Sequence, residues 1–497
     1  MLFNSYVFLF LFLPVTLAIY FVAGRWSRRL AVLWMAMASL GFYAWWNPPY
    51  VGLLLGSILF NYAIGLMLVR LSGATSRRGL LAVAVAANLA LLGYFKYANF
   101  FVANARILFD THWQLAPILL PLGISFFTFT QITFLVDTAR GQAKEVDFVR
   151  YLLFVTYFPH LIAGPILHHS EMMPQFARAD IARFSSRRVA LGISIFAIGL
   201  VKKVVLADGI AGHASPMFDA AAHGVAPSAI AAWSGALAYT LQLYFDFSGY
   251  TDMAIGLARM IGVRLPLNFD SPYKSLSIIA FWRRWHMTLS RFLRDYVYFA
   301  LGGNRRGAAR RYINLMATML LGGLWHGAGW TFILWGALHG GYLLVNHAWN
   351  ALVGVPEAPG RARRLAAGLL TFLAVVVAWV LFRAADIDAA GRVLTGMIGR
   401  HGALPEDMDK AQWSSMTTGW CWIGALLAIV WLAPNTQEIF RRYRLERAAQ
   451  WRPRLALVPM LALRWRLSAA WACVMALGIG IAVLRMSRPT EFIYFQF

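Results

Sequence analysis

A histidine in the middle of a glycine-rich apolar run is the first residue in this chain that could do chemistry. His326 lies within NLMATMLLGGLWHGAGWTFILWGALHGG, residues 314–341, with Gly322, Gly323, Gly327 and Gly329 around it. An ionisable side chain at membrane depth is costly, so its presence there points to function by default. The plainer reading is an imidazole that bonds a neighbouring helix as packing glue, which His339 and His347 fit better. Small residues four apart, Gly323 and Gly327, would let a second helix or a ligand approach the backbone closely.

A second histidine lies in SLSIIAFWRRWHMTLSRFLRDY, residues 277–298. Helical spacing puts Trp282, His286, Leu289 and Leu293 on one face and Arg284, Arg291 and Asp295 on the other. His286 would then look into the protein, and the arginines toward water or headgroups. An interfacial helix with a snorkelling basic face explains those arginines equally well. The loop Gly302-Gly303-Asn304-Arg305-Arg306-Gly307 follows. Arg283, Arg284, Arg291 and Arg305 would suit a cytoplasmic cofactor that carries phosphates, such as coenzyme A, because a guanidinium pairs with phosphate through two hydrogen bonds.

The third segment is LQLYFDFSGYTDMAIGLARMIG, residues 241–262. Asp246 interrupts its apolar run, and a partner among the nearby arginines would explain why it is tolerated. Ser248-Gly249 would break the run, with Ser248, Thr251 or Asp252 capping the next helix.

No cluster of carboxylates or cysteines suggests a metal site. There is no Walker-type phosphate loop and no GxSxG elbow. General acid–base chemistry remains. A histidine can take the proton from a hydroxyl as that hydroxyl attacks an activated acyl group. A second histidine would orient the first or donate to the carbonyl oxygen as charge develops there.

The elements holding these residues belong to a membrane. Of 497 residues, 60% are hydrophobic and 13% charged, and the mean hydropathy is +0.59. A soluble domain carries about 25% charged residues. Apolar stretches recur at 6–23, 30–46, 80–95, 190–201, 369–382 and 468–484. With about 20 apolar residues needed per span, roughly ten to twelve spans are expected. Arg25, Arg28 and Arg29 follow the first apolar run rather than precede it, so that run reads as a retained helix with its C-terminal end in the cytoplasm.

The net charge of +24 lies in short loops at 25–29, 70–78, 178–188, 283–311, 361–364 and 441–466. That distribution reflects membrane orientation with anionic lipid as partner, and argues against nucleic acid. Cys421 and Cys473 stand in apolar context and read as packing residues. The segment 208–228 reads as a loop, 352–364 as a loop with Pro356 and Pro359, and 384–418 as a polar excursion. The apolar run 455–486 is interrupted by Arg464 and Arg466 and could hold one span, or a span and a surface helix. No linker divides the chain, so 1–497 reads as a single domain with its motifs at about 120–345.

Those motifs resemble the membrane-bound O-acyltransferase (MBOAT) family, and most closely its bacterial branch that acts on alginate. The resemblance rests on YFPHLIAGPILHHSEMMPQF, YFDFSGYTDMAIG, NFDSPYKSLSIIAFWRRWHMTLSRFLRDYVYFALGGNR, GGLWHGAGWTFILWGALHG and the closing FIYFQF. It covers most of 120–345 and the C-terminus in the expected order, with the RRWH and WHG histidines 40 positions apart. The resemblance implies an all-α polytopic fold, a ring of transmembrane helices around a thin central region. It implies His326 as the catalytic histidine and His286 as the second active-site residue, and gives Asp246, His160, His168 and His169 no role.

The resemblance further implies acetyl transfer from acetyl-CoA, with no permanently bound cofactor, to an exported polysaccharide. The setting would be a bacterial inner membrane, with a periplasmic acetyltransferase or an export protein as partner. D-alanyl transfer from a carrier-protein thioester is the alternative within the family. A transporter with a histidine proton relay is the alternative outside it.

Overall fold

A computed structural model of the chain describes residues 1–143, 147–354, 360–405, 409–443, 445, 463–486 and 493. Helix is the regular structure of the described residues, with no strand among them. Pro356, Pro359, most of FIYFQF and residues 455–462 lie outside them. Six helices among the described residues are long and apolar enough to cross a membrane: Phe8–Trp26, Pro49–Arg70, Ala74–Phe109, Ser186–Ala222, Arg361–Arg383 and Lys410–Leu432. Other apolar runs form shorter helices. Arg28–Ala44 and Ala469–Arg485 have 17 residues each and Ile124–Ala139 has 16, less than the about 20 that a bilayer needs.

The chain divides into two compact units, one of Met1–Gly199 with Tyr250–Pro266 and the other of Leu200–Gly249 with Leu267–Phe497. In the first, side-chain amides join helices that an apolar interface alone would hold loosely. Asn61 and Asn88 exchange hydrogen bonds of 3.0 and 2.7 Å between Pro49–Arg70 and Ala74–Phe109, and Gln131 donates to Ser57 at 2.9 Å. Gly192 and Gly256 let two helices meet backbone to backbone, because a Cβ on Gly256 would stand 2.6 Å from the Gly192 carbonyl oxygen. Outside the spans, Asp180 accepts from Arg178 at 2.7 Å and Arg188 at 2.6 Å. The Arg178 hydrogen bond leads in lowering its carboxyl to about 2.

The second unit contains both histidines of interest. Its centre is a hairpin of Gly307–His326 and Trp330–Val353. The glycines allow its close packing. A Cβ on Gly323 would strike the carbonyl oxygen of Phe332, one on Gly336 the carbonyl oxygen of Met319, and one on Gly327 the Phe332 ring. Gly323 thus faces the partner helix, whereas Gly327 closes the turn. Gly336→Leu is expected to push the two helices apart, with overpacking costing about 1–3 kcal/mol. The melting temperature of the purified protein in detergent would fall; an unchanged value would contradict this packing.

Three readings from the sequence are overturned here. Residues 208–222 are helix, not loop, and extend the Ser186–Val201 helix through a wider turn at Lys202–Ala207. Ala229–Ile261 runs unbroken through Ser248-Gly249, so Ser248, Thr251 and Asp252 cap nothing. Ser248 and Asp252 are buried within that helix, whose flanking apolar residues keep the helical pattern going. Within 384–418, Ile387–Met397 is a helix whose Asp386 side chain accepts from the Ala389 N–H at 2.7 Å. Cys421 and Cys473 are exposed on helix faces rather than packed inside.

Candidate active site

His326 is the last residue of its helix, just before the extended Gly327-Ala328-Gly329 turn. It is 5% exposed. Its ring packs edge-on against Trp335 at 5.1 Å and Phe382 at 5.0 Å, and against Trp325 at 4.9 Å. Trp335 stacks in turn on Trp379 at 5.8 Å, and Trp379 lies 4.9 Å from Trp285. Apolar rings exclude water around the imidazole and strengthen any electrostatic interaction made there.

His286 is fully buried and reaches the same indole, 6.1 Å from Trp325 between ring centroids. Phe247 packs edge-on against it at 4.9 Å. The structure therefore brings both sequence-predicted histidines to one aromatic wall. It does not place His286 on the continuous helix that the spacing suggested. Ile278–Trp282 and Met287–Phe292 are separate helices, and His286 stands between them at φ 40°. The periodic apolar residues Trp282, Leu289 and Leu293 are buried all the same, so burial could not reveal the break. A non-glycine residue in the left-handed region costs about 1–3 kcal/mol and persists only where its surroundings hold it.

The proposed phosphate-binding arginines are less gathered. Arg283 and Arg305 are exposed, and Arg284 and Arg291 are half-buried. Arg311 donates to Nδ1 of His347 at 3.1 Å, and Arg283 is within electrostatic reach of the same imidazole. Asn314 donates to the Gly303 carbonyl at 2.9 Å and so ties the Gly302–Arg306 loop to the hairpin.

Asp246 does not pair with an arginine. Its Oδ1 lies 2.7 Å from Nζ of Lys203, which also meets Asp208 at 2.7 Å. Its other oxygen accepts from the Ile493 N–H at 3.2 Å, which gives one residue of the C-terminal motif a contact. Lys203 is not singled out by the sequence, being one of two adjacent cations, with Lys202, in an otherwise apolar helix. His339 belongs to the aromatic wall. Trp282 donates to its Nδ1 at 3.3 Å, and its ring lies 4.8 Å from Trp335. In the first unit, His160 bonds the Phe154 carbonyl at 2.9 Å and His169 packs against Phe134 and Phe154.

A buried histidine at the end of a glycine-packed hairpin, sharing the Trp325 indole with a second buried histidine, is consistent with transfer chemistry and does not by itself name a family. The comparison with known proteins does. The model of the membrane-bound O-acyltransferase family matches residues 17–383. The chain belongs to this family. It is 44% identical to a peptidoglycan O-acetyltransferase of Helicobacter pylori over 81% of this chain and 80% of that protein. It is 40% identical to a probable alginate O-acetylase of Pseudomonas putida over 100% of both chains. A teichoic acid D-alanyltransferase of Streptococcus thermophilus is more distant, 27% identical over 52% of this chain and 68% of that protein. The chain is therefore a multi-pass membrane enzyme, an acyltransferase, and the transporter alternative falls away.

Proposed function

We propose that this acyltransferase moves an acetyl group from acetyl-CoA, taken from the cytoplasm, to a hydroxyl of an exported polysaccharide. The setting we propose is a bacterial inner membrane, with a periplasmic acetyltransferase or polysaccharide-export protein as partner. The observation that carries this reading is the end-to-end similarity to a probable alginate O-acetylase. The peptidoglycan O-acetyltransferase shares with it an O-acetyl product on a polysaccharide.

The chemistry assigned to the site is direct. An acceptor hydroxyl attacks the thioester carbonyl carbon while His326 takes its proton. A C–O bond forms, the C–S bond breaks, and the leaving thiolate receives the proton from the imidazolium. His286, which packs on the same Trp325 indole, supports this step. The basic surface of Arg283, Arg284, Arg291 and Arg305 offers charge for the phosphates of coenzyme A.

His286→Ala is expected to lower kcat about 10²-fold and leave residual turnover. A twofold loss would be too small for an active-site histidine. Donor choice is tested by offering acetyl-CoA and a D-alanyl carrier-protein thioester to one preparation in nanodiscs, together with membranes of the native host as acceptor. Acetyl transfer alone is expected. D-alanyl transfer alone would favour the donor of the more distant relative.

A further inference from the structure

One side chain makes three contacts with the turn that carries His286. Oδ1 of Asn268 accepts from the Thr288 hydroxyl at 2.6 Å and from the Thr288 backbone N–H at 3.2 Å, and lies 3.3 Å from Nδ1 of His286. The Asn268 carbonyl accepts from the Met287 N–H at 2.9 Å, and the Asp270 N–H donates to the Arg284 carbonyl at 3.0 Å. These bonds from a distant segment pin both ends of the turn in which His286 keeps φ 40°.

The same contacts decide where the imidazole carries its proton. A backbone N–H can only donate, so the Asn268 amide atom facing Thr288 is the oxygen. That oxygen also faces Nδ1 of His286. Two acceptors do not bond, so Nδ1 carries the hydrogen, and in the neutral ring Nε2 keeps the lone pair. Asn268 is 1% exposed, so water does not compete for its oxygen.

We propose that Asn268 is a positioning residue of the acyltransferase, holding His286 with its proton on Nδ1 so that the neutral ring acts through Nε2 as a hydrogen-bond acceptor that orients its partner in the site. The proposal rests on the reading of His286 as an active-site residue. Between the two roles considered for a second histidine, it excludes donation to the thioester carbonyl by the neutral ring. Holding one tautomer matters for rate: in the serine-protease template, the wrong tautomer lowers kcat by about 10⁴-fold.

The test uses the full-length protein labelled with [15N]histidine in nanodiscs, the His286 signals being identified by their loss in His286→Gln. The wild type is expected to show the Nδ1–H tautomer. Asn268→Asp, which keeps an oxygen acceptor, should preserve it, and Asn268→Leu should shift the ring toward the Nε2–H form. Acyl transfer should fall about 10²-fold or more in Asn268→Leu and be largely restored in Asn268→Asp, with KM for the acyl donor little changed. A wild-type ring protonated at Nε2, or an unaltered tautomer in Asn268→Leu, overturns the proposal. If Asn268→Leu does not fold, the wild-type spectrum still decides. An Nδ1–H tautomer together with a fully active His286→Gln would instead refute the active-site reading, and the positioning role with it.

Discussion

Replacing His326 by alanine is expected to reduce acyl transfer at least about 10²-fold, and as much as 10⁴-fold, because that is what a positioned general base contributes. The fold should survive the change. His326 ends its helix, and the hairpin is held by the glycine contacts of Gly323 and Gly336 rather than by the imidazole. The aromatic wall of Trp325, Trp335 and Phe382 would close around a small cavity. The variant should therefore insert, purify and melt close to the wild type, so that lost activity reports chemistry. An alanine variant with activity within a few-fold of the wild type would remove His326 from the mechanism. One that fails to insert would give the histidine a structural role instead.

Lys203→Ala is expected to have the largest effect on stability. Lys203 and Asp246 are 2% and 1% exposed in their side chains, and Asp208 is 12% exposed. Removing the cation leaves two carboxylates in a dry interior without their shared partner. Breaking a buried pair in this way costs about 3–5 kcal/mol, against a total stability of about 5–15 kcal/mol for a typical protein. Asp246→Asn should be milder, because the amide oxygen can still accept from the Ile493 N–H. Thermal unfolding in detergent, followed by size-exclusion chromatography, would show the order wild type, Asp246→Asn, Lys203→Ala. A Lys203→Ala protein as stable as the wild type would mean that the ion pairs contribute nothing net.

What the sequence revealed and what it hid follow one physical line. Local features were legible. The apolar runs became helices, six of the helices among the described residues being long and apolar enough to cross a membrane, and the glycines around His326 marked a close helix–helix approach. His326 and His286 stood out because polar groups are expensive in apolar surroundings. The hidden features depend on partners far along the chain. Trp282, His286, Leu289 and Leu293 have the spacing of a continuous helix, and the bonds from Asn268 and Asp270 break it. Asp246 promised a charged partner but not which one. The nearby arginines were plausible, yet the geometry selected Lys203, which lies 43 positions earlier in the chain. The supposed caps at Ser248 and Asp252 failed for the converse reason. Their side chains are buried in tertiary contacts, and the apolar residues around them sustain the helix regardless.

The most direct test of the central claim is acetyl-CoA-dependent release of free coenzyme A by the purified protein in nanodiscs, wild type beside His326→Ala, with native-host membranes supplying acceptor and partner. The proposed mechanism predicts release by the wild type, matched by acetyl groups gained on the polysaccharide, and at least about 10²-fold less from the variant. Equal release from both proteins, or none from either with the acceptor present, would contradict it.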